Sequence, residues 1–254
     1  MSTDDIQRLR QARMLLKDTI RKHINFAETD QSLGIAPPPI EKPYPPASPR
    51  VALPEPGQWS IPHITLQEAI GQRRSRRRYT RDPVSLDELA FLLWAAQGVR
   101  PPIMGGHAFR TVPSAGCRHA FETYIAALNI TGLDAGLYRY LPLTHQLLHE
   151  AAVDDLEHRV IEATLGQQFA GMAAAVLIWT AIPYRMEWRY GLAAHKVIAL
   201  DAGHVCQNVY LACEAIGAGT CAIAAYDQEL CDALLQVDGE DEFTIYLAPV
   251  GKIA

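Results

Sequence analysis

The sequence predicts an α+β fold, and three apolar segments in its second half are the main evidence. Residues 171–182 (GMAAAVLIWTAI) form a continuous apolar run that is typical of a buried central strand. Residues 197–216 form a long helix with almost no polar face, which belongs in a core or at a subunit interface. Residues 242–251 (EFTIYLAPVG) have the composition of a closing strand. Strands and helices alternate irregularly between these segments, which favours α+β over a doubly wound sheet.

The first 60 residues predict a helix followed by a proline-rich arm. Apolar residues recur between basic ones over residues 4–24, which is the pattern of an amphipathic helix. Nine of the chain's 17 prolines then fall between residues 34 and 56, so this segment must be extended rather than helical. Its apolar side chains favour an arm docked on the domain or on a partner subunit over a free linker. We therefore divide the chain into an N-terminal helix and arm (1–60) and a compact domain (61–254).

Local signals place the first helices and strands of the domain. Thr65 with Glu68 and Ser85 with Glu88 have the spacing of capping boxes, in which the N-cap and N3 residues satisfy each other's backbone N–H. The second of these helices is predicted to end at Gly98, because glycine is favoured just after a helix C-terminus. Aromatic and β-branched residues then predict strands over FETYIAALNI and GLYRYLP.

Composition and motifs exclude several classes of protein. The net charge is −5, whereas binding to nucleic acid or to an anionic membrane needs a wide positive field. The longest apolar stretch is too short to span a bilayer and the N-terminus lacks a signal peptide, so we expect a cytoplasmic protein. The five cysteines lack metal-ligand spacing, which predicts reduced thiols and no metal site. The HExxH, GxSxG and P-loop motifs do not occur.

The segment RRSRRRY (73–79) concentrates five arginines in a net acidic chain. Three interpretations are open: a solvated surface, a phosphate-binding segment, or a nucleic-acid patch. In an extended segment Arg73, Ser75 and Arg77 share one face, because side chains alternate along a strand. Two guanidinium groups and a hydroxyl on one face suit a phosphate or another polar anion.

Further segments admit both a structural and a chemical interpretation. The turn RTVPSAGCRH (110–119) suits either an ordinary strand-to-loop turn or the close approach of a flat ligand. Cys117 within it lacks the His–Asn context of a catalytic thiol. Lys252 is either a solvated terminal residue or a second cation for a phosphate, and Asp201 and His204 are spaced to pair on a helix. The candidate proton donors near the start of the long helix are Tyr190, His195 and Lys196.

Taken in order, these motifs resemble the nitroreductase superfamily, and most closely its SagB-type FMN-dependent dehydrogenase branch (SagB/ThcOx-like). The resemblance covers roughly residues 61–254. It rests on RRSRRRYTRDPVSLDELAFLLWAAQGV, RTVPSAGCRHAFETYIAAL, GLYRYLP, ALDAGHVCQNVYLACEAIGAGTCAIAAYD and LAPVGK. It implies an α+β fold with a central, mostly antiparallel sheet flanked by helices, and an intertwined homodimer with FMN at the interface.

The resemblance also implies which residues hold FMN. The phosphate, the ribityl chain and the N1/O2 edge would be contacted by Arg73, Arg74, Ser75 and Arg77. The isoalloxazine ring would be lined, from the other subunit, by Pro113, Ser114, Ala115 and Gly116. The backbone N–H groups facing N5 and O4 would be those of Ala224 and Ala225. Lys252, beside Gly251, would complete the phosphate site.

The implied activity is that of an FMN-dependent oxidoreductase that passes hydride through flavin N5, driven by NAD(P)H and reducing nitro or quinone acceptors. Two departures from the family pattern keep alternatives open. Many relatives with nitroreductase activity carry Glu-Gly where this chain has Ala224-Ala225, and SagB-type sequences commonly carry Arg and Tyr where it has AAHK (193–196). One alternative is oxidation of azoline rings in a peptide substrate, beside a cyclodehydratase partner. Another is a flavin-binding protein without turnover, and the weakest is a nucleic-acid-binding module.

Overall fold

The computed structural model describes residues 1–104 and 106–254. Its α-helices are α1 (Thr3–Ala12), α2 (Leu66–Gln72), α3 (Leu86–Gln97), α4 (Leu156–Ala163), α5 (Gln168–Gly171), α6 (Tyr184–Tyr190), α7 (Ala194–Ala215) and α8 (Gln228–Leu235). Its strands are β1 (Arg50–Ala52), β2 (Val84–Ser85), β3 (Val99–Met104), β4 (His107–Arg110), β5 (Phe121–Ala127), β6 (Ile130–Thr131), β7 (Gly136–Leu141), β8 (Gln146–Ala151), β9 (Ala175–Ala181), β10 (Ala218–Thr220) and β11 (Phe243–Lys252). Short 3₁₀ turns lie at Arg13–Leu16, Thr19–His23, Phe26–Glu28, Ala115–Cys117 and Gly191–Ala193.

One antiparallel sheet organises the molecule, with the strand order β1-β8-β7-β5-β9-β11-β10. The predicted central strand is β9, which pairs with β5 on one side and with β11 on the other. Ile178 of β9 lies opposite both Tyr124 of β5 and Leu247 of β11. The structure therefore confirms the α+β fold with a mostly antiparallel sheet.

The two faces of the sheet pack against different helices. Ile125, Leu177 and Trp179 are buried in one core with residues of α3 and α7. Tyr124 and Ile178 are buried in a second core with residues of α4 and α8. Full burial of such side chains stabilises the fold by roughly 1.5–3 kcal/mol each, so these two layers hold the sheet in place. Within the described residues, no helix is both long enough and apolar enough to cross a membrane, and this includes α7.

Both capping boxes form as predicted and α3 ends beside Gly98 as predicted, but the predicted end of the N-terminal helix is wrong. The Thr65–Glu68 and Ser85–Glu88 pairs cap α2 and α3. The N-terminal helix ends at Ala12 rather than near residue 24, because none of its residues is buried and an unpacked helix is only marginally stable. Gly98 has φ −56°, outside the left-handed region, since the chain turns directly into β3. A Cβ at Gly98 would lie 2.3 Å from the Trp94 ring, so glycine is needed here for space.

The proline-rich arm lies along the domain of its own chain. Its residues 50–52 form β1, which pairs with β8 at the edge of the sheet. Buried arginines of the domain donate hydrogen bonds to its backbone: Arg110 to the Ile40 carbonyl at 2.7 Å, and Arg139 to the Lys42 carbonyl at 2.8 Å. The arm thus contributes an edge strand and takes up buried hydrogen-bond donors.

Candidate active site

The arginine run (residues 73–78) is an extended segment held against the end of the sheet. The Arg76 backbone N–H donates to the Thr220 carbonyl at 2.9 Å, and the Thr80 N–H donates to the Lys252 carbonyl at 2.8 Å. Two glycines make this close packing possible. A Cβ at Gly219 would lie 2.6 Å from Arg76 Cδ, and one at Gly251 would lie 2.6 Å from Tyr79 Cγ. Gly251 thus leaves space for the run, and its place in the cofactor site stays a prediction.

Most of the positive charge of the run has no acidic partner. Arg76 is the exception, because its guanidinium lies 3.6 Å from the Glu214 carboxylate. Among the described residues, no carboxylate lies within 4.0 Å of Arg73, Arg74, Arg77 or Arg78. Arg74 and Arg77 are exposed, and Arg73 is half-buried. This concentration of uncompensated guanidinium groups suits an anionic ligand.

Lys252 lies beside the run, but its charge is already engaged. Its ammonium group lies 2.5 Å from the Glu88 carboxylate and donates to the Ile216 carbonyl at 2.6 Å. Lys252 thereby links the C-terminal strand to α3 and to the end of α7.

Tyr210 of α7 connects the run to the loop that follows β10. Its hydroxyl lies 3.1 Å from the Ser75 hydroxyl and accepts a hydrogen bond from the Ala222 N–H at 2.9 Å. The Arg73 guanidinium lies 5.4 Å from the centre of the Tyr210 ring, within cation–π range. Sequence reasoning missed Tyr210, because it is 135 residues from Ser75 and has no local motif.

The alanine loop (residues 222–226) presents exposed backbone beside the run. Its Ile223 is fixed by reciprocal backbone hydrogen bonds with Leu247, at 2.8 and 3.1 Å. Ala224 and Ala225 are exposed, and no acceptor among the described residues takes their N–H groups. The Ala225 carbonyl accepts from Gln167 at 2.8 Å, which fixes the orientation of this peptide.

The PSAG turn (residues 113–116) is attached to the other end of α7. The Ala115 N–H donates to the Asp201 carboxylate at 3.3 Å, while the Ser114 hydroxyl accepts from the His119 N–H at 3.0 Å. Burial raises the pKa of Asp201, and hydrogen bonds from Ser114 and Ala115 oppose that shift. Gly116 has φ +59°, and a Cβ there would lie 2.5 Å from the Tyr190 hydroxyl. Glycine is therefore required at this position for both conformation and space.

The PSAG turn and the arginine run contact α7 at different positions along the helix axis. Asp201 holds the PSAG turn and Tyr210 holds the arginine run, and these residues are nine positions apart on the helix. At 1.5 Å per residue the clusters are separated by about 14 Å along the axis. The predicted pairing of Asp201 with His204 also forms, at 3.7 Å.

The candidate proton donors gather where α6 meets α7. The His195 imidazole lies 2.8 Å from the Glu187 carboxylate. The guanidinium groups of Arg21 and Arg189 lie 6.0 and 5.5 Å from the centre of the Tyr190 ring. Lys196 is half-buried and lines a cavity beneath the N-terminal 3₁₀ turns.

Cys117 has a histidine neighbour, but not one that can activate it. The thiol lies 3.6 Å from His119 Nε2 and contacts the Ala108 carbonyl at 3.3 Å. Burial, together with the charges of Arg110, Arg118 and Arg185, lowers the pKa of His119 to about 2. Such an imidazole stays neutral and is a very weak base, so it cannot deprotonate Cys117. Among the described residues, no group of three or more His, Cys, Asp and Glu side chains could hold a metal ion.

Comparison with known proteins identifies relatives of this fold. The model of the nitroreductase family matches residues 70–252. MJ1384 of Methanocaldococcus jannaschii, which is named as a nitroreductase, is 34% identical over 193 residues, covering 76% of this chain and 93% of that protein. The trifolitoxin-processing protein TfxB of Rhizobium leguminosarum bv. trifolii is 25% identical over 163 residues, covering 61% of this chain and 44% of that protein. A crystal structure from Ralstonia eutropha JMP134, named as a nitroreductase, matches with a TM-score of 0.67 and 29% identity, covering 86% of this chain and 97% of that chain.

Proposed function

The chain belongs to the nitroreductase family, and on that premise we propose that it transfers electrons from NAD(P)H to small nitro or quinone acceptors. It is an oxidoreductase, and its cofactor is FMN. When bound, FMN supplies the redox chemistry by accepting and giving up hydride at N5. The protein supplies binding, orientation and electrostatics, which agrees with a sequence that has no acid–base or nucleophile motif. Membership of the SagB-type branch stays a prediction.

The arginine run has the donors that the phosphate end of FMN requires. Arg74 and Arg77 are exposed and free of acidic partners, and Ser75 adds a hydroxyl on the same segment. Charge-assisted hydrogen bonds from guanidinium groups to phosphate are about twice as strong as neutral ones. Lys252 is proposed to lie beside the phosphate as well, where it would have to share its charge with Glu88.

The alanine loop has the donors that the polar edge of the flavin ring requires. Ala224 and Ala225 are exposed residues, and their N–H groups have no acceptor among the described residues. Tyr210 holds this loop and the arginine run in fixed relation through Ala222 and Ser75. The loop can therefore orient the flavin ring of an FMN molecule whose phosphate is bound by the run.

We also propose that two copies of the chain form the complete site. The PSAG turn is held about 14 Å along α7 from the run, so within one chain it meets a different part of the helix. In a homodimer, the turn of one chain can face the run of its partner. Apolar side chains on α2 remain exposed for such a contact, with Leu66 67% and Ile70 58% exposed.

The observation that carries the proposal is the set of uncompensated arginines beside unpaired N–H groups. The test is an absorbance spectrum of the purified protein before and after addition of NADPH under nitrogen, followed by 4-nitrobenzoate or a benzoquinone. We expect a flavin spectrum that bleaches with NADPH and recovers with the acceptor. A protein that stays yellow with NADPH is not an NADPH-driven reductase and would instead be a substrate oxidase or a flavin-storage protein. A colourless protein that takes up no FMN would overturn the site.

A second function is favoured by the similarity to TfxB, a protein named for processing trifolitoxin. In that case the substrate is a peptide, and its azoline rings are oxidised to azoles while flavin is reduced. The two functions differ in what reduces the flavin. Bleaching by an azoline-containing peptide, and not by NAD(P)H, would establish the peptide function.

A further inference from the structure

A cavity of about 370 Å³ lies between the N-terminal 3₁₀ turns and the start of α7, and we call it the N-terminal cavity. Its volume falls within the roughly 300–1,000 Å³ that is usual for small-ligand sites. The turns at 13–16 and 19–23 form one wall, and residues 192–196 form the other. Met14, Leu15 and Leu192 give it an apolar lining, although all three remain more than half exposed overall.

The charges around this cavity leave it positive. Asp18 is neutralised by Arg21 at 2.7 Å, and His195 lies 2.8 Å from Glu187. Lys17 and Lys196 also line the cavity. Among the described residues, neither lysine has a carboxylate within 4.0 Å. Two unpaired ammonium groups beside an apolar wall suit a ligand with an apolar body and an anionic group.

The cavity adjoins the turn that is proposed to face the flavin ring. Arg21, in the turn that walls the cavity, lies over the Tyr190 ring at 6.0 Å. The Tyr190 hydroxyl in turn lies against Gly116 of the PSAG turn. His195 is six residues before Asp201 on α7, about 9 Å along the helix, and Asp201 holds the Ala115 N–H. Arg21 and Tyr190 thus lie between the turn and the cavity, and an acceptor that occupies both must pass these side chains.

We propose that the N-terminal cavity binds the carboxylate of an aromatic acceptor through Lys17 and Lys196. The acceptor class is then an aromatic nitro compound or quinone that bears a carboxylate. The N-terminal segment is a wall of the substrate site, and it selects acceptors by charge. This inference rests on the proposed function.

The test compares 4-nitrobenzoate with its neutral methyl ester, which lacks the negative charge. In the Lys17→Met/Lys196→Met double variant we expect KM for 4-nitrobenzoate to rise about tenfold, since a hydrogen bond to a charged group contributes roughly 1.5 kcal/mol or more. KM for the ester should not change. The matched control is Lys22→Met, because Lys22 lies in the same 3₁₀ turn as Ile20 but does not line the cavity. Equal changes for both acceptors, or no change for either, would overturn the proposal.

Binding measured without turnover separates this proposal from the function on which it rests. We expect calorimetry to show that benzoate binds the wild-type protein and Lys22→Met equally, and the double variant about tenfold more weakly. If the wild-type protein reduces neither acceptor, the proposed function fails and the benzoate titration alone decides the role of the cavity. Benzoate binding that is absent, or that is unchanged in the double variant, would show that the cavity is not an anion site.

Discussion

Two sets of arginines in this protein have opposite surroundings. The arginine run lies at the surface, and four of its five arginines have no carboxylate within 4.0 Å among the described residues. The buried arginine set is Arg110, Arg118, Arg139 and Arg185, each no more than 3% exposed. Its members contact Glu122, Gln97, the Trp188 ring and backbone carbonyls of the arm. Neighbours, and not residue type, therefore decide whether an arginine stabilises the fold or is available to a ligand.

Glu122 is the centre of the buried set. Its carboxylate lies 2.6 Å from Arg185 and 3.4 Å from Arg139, and it accepts the Lys42 N–H at 2.8 Å. Burial alone would raise the pKa of Glu122, but Arg185 and Arg139 lower it below its usual value. One carboxylate thus joins β5, β7, α6 and the arm.

The largest expected effect follows from removing this charge. Glu122→Gln leaves the buried Arg185 guanidinium without a carboxylate partner and Arg139 paired with Glu150 alone, so we expect a loss of about 3–5 kcal/mol in the free energy of unfolding, measured with urea. Glu162→Gln is the matched control, since Glu162 forms only an exposed pair with His158. A variant as stable as this control would mean that the buried set contributes little to stability.

The pH dependence of the free energy of unfolding should also come from Glu122. Because the folded-state pKa of Glu122 is depressed, its contribution is present above its usual pKa of 4.5 and is lost as the pH falls through the lower folded value. The difference in unfolding free energy between wild type and Glu122→Gln should therefore be constant above pH 4.5 and shrink below it. Urea unfolding of both proteins across this range measures the difference. A difference that grows on acidification would contradict the assigned direction.

Substitutions in the arginine run should instead weaken FMN binding and leave the stability of the protein unchanged. Arg74→Ala/Arg77→Ala should weaken FMN binding by about 10- to 100-fold, which corresponds to roughly 1.5–3 kcal/mol, the value of charged hydrogen bonds. The free energy of unfolding of the flavin-free protein should stay within about 0.5 kcal/mol of wild type, as is usual for surface substitutions. FMN fluorescence titration and urea unfolding give the two values. Arg78→Ala is the control, because Arg78 is also an exposed arginine of the run but is not among the residues proposed to hold FMN. Destabilisation without loss of FMN affinity would remove the contrast between the two sets.

The features that could be predicted from the sequence are those that depend on residues close together in the chain. Both capping boxes formed because Thr65–Glu68 and Ser85–Glu88 each need only three residues to satisfy their hydrogen bonds. The central strand β9 was predictable because all of its seven residues are apolar enough to be buried. The order of the motifs also led to the nitroreductase family, which the family match confirms.

What the sequence did not predict depends on contacts between distant segments. Arg139 lies in a predicted strand and Arg74 in the arginine run, but neither pattern shows that Arg139 is buried against Glu122 while Arg74 is exposed. The hydroxyl contact of Tyr210 with Ser75 likewise joins residues far apart in the chain. The N-terminal helix was predicted to be too long, because its periodic pattern does not show that its apolar side has nothing to pack against.

The smallest expected effect comes from removing a single hydroxyl group, that of Tyr210. Tyr210→Phe keeps the ring under Arg73 but removes the hydroxyl that meets Ser75 and the Ala222 N–H. Because a net hydrogen bond contributes about 1 kcal/mol, FMN affinity should fall about fivefold. The flavin absorbance maximum should also shift, since the alanine loop loses its anchor beside the ring. Tyr184→Phe is the control, because it removes an exposed hydroxyl bound to Asp30, outside the proposed site. Unchanged FMN affinity and an unchanged spectrum would mean that the run and the loop are positioned independently, and that Tyr210 has no part in binding.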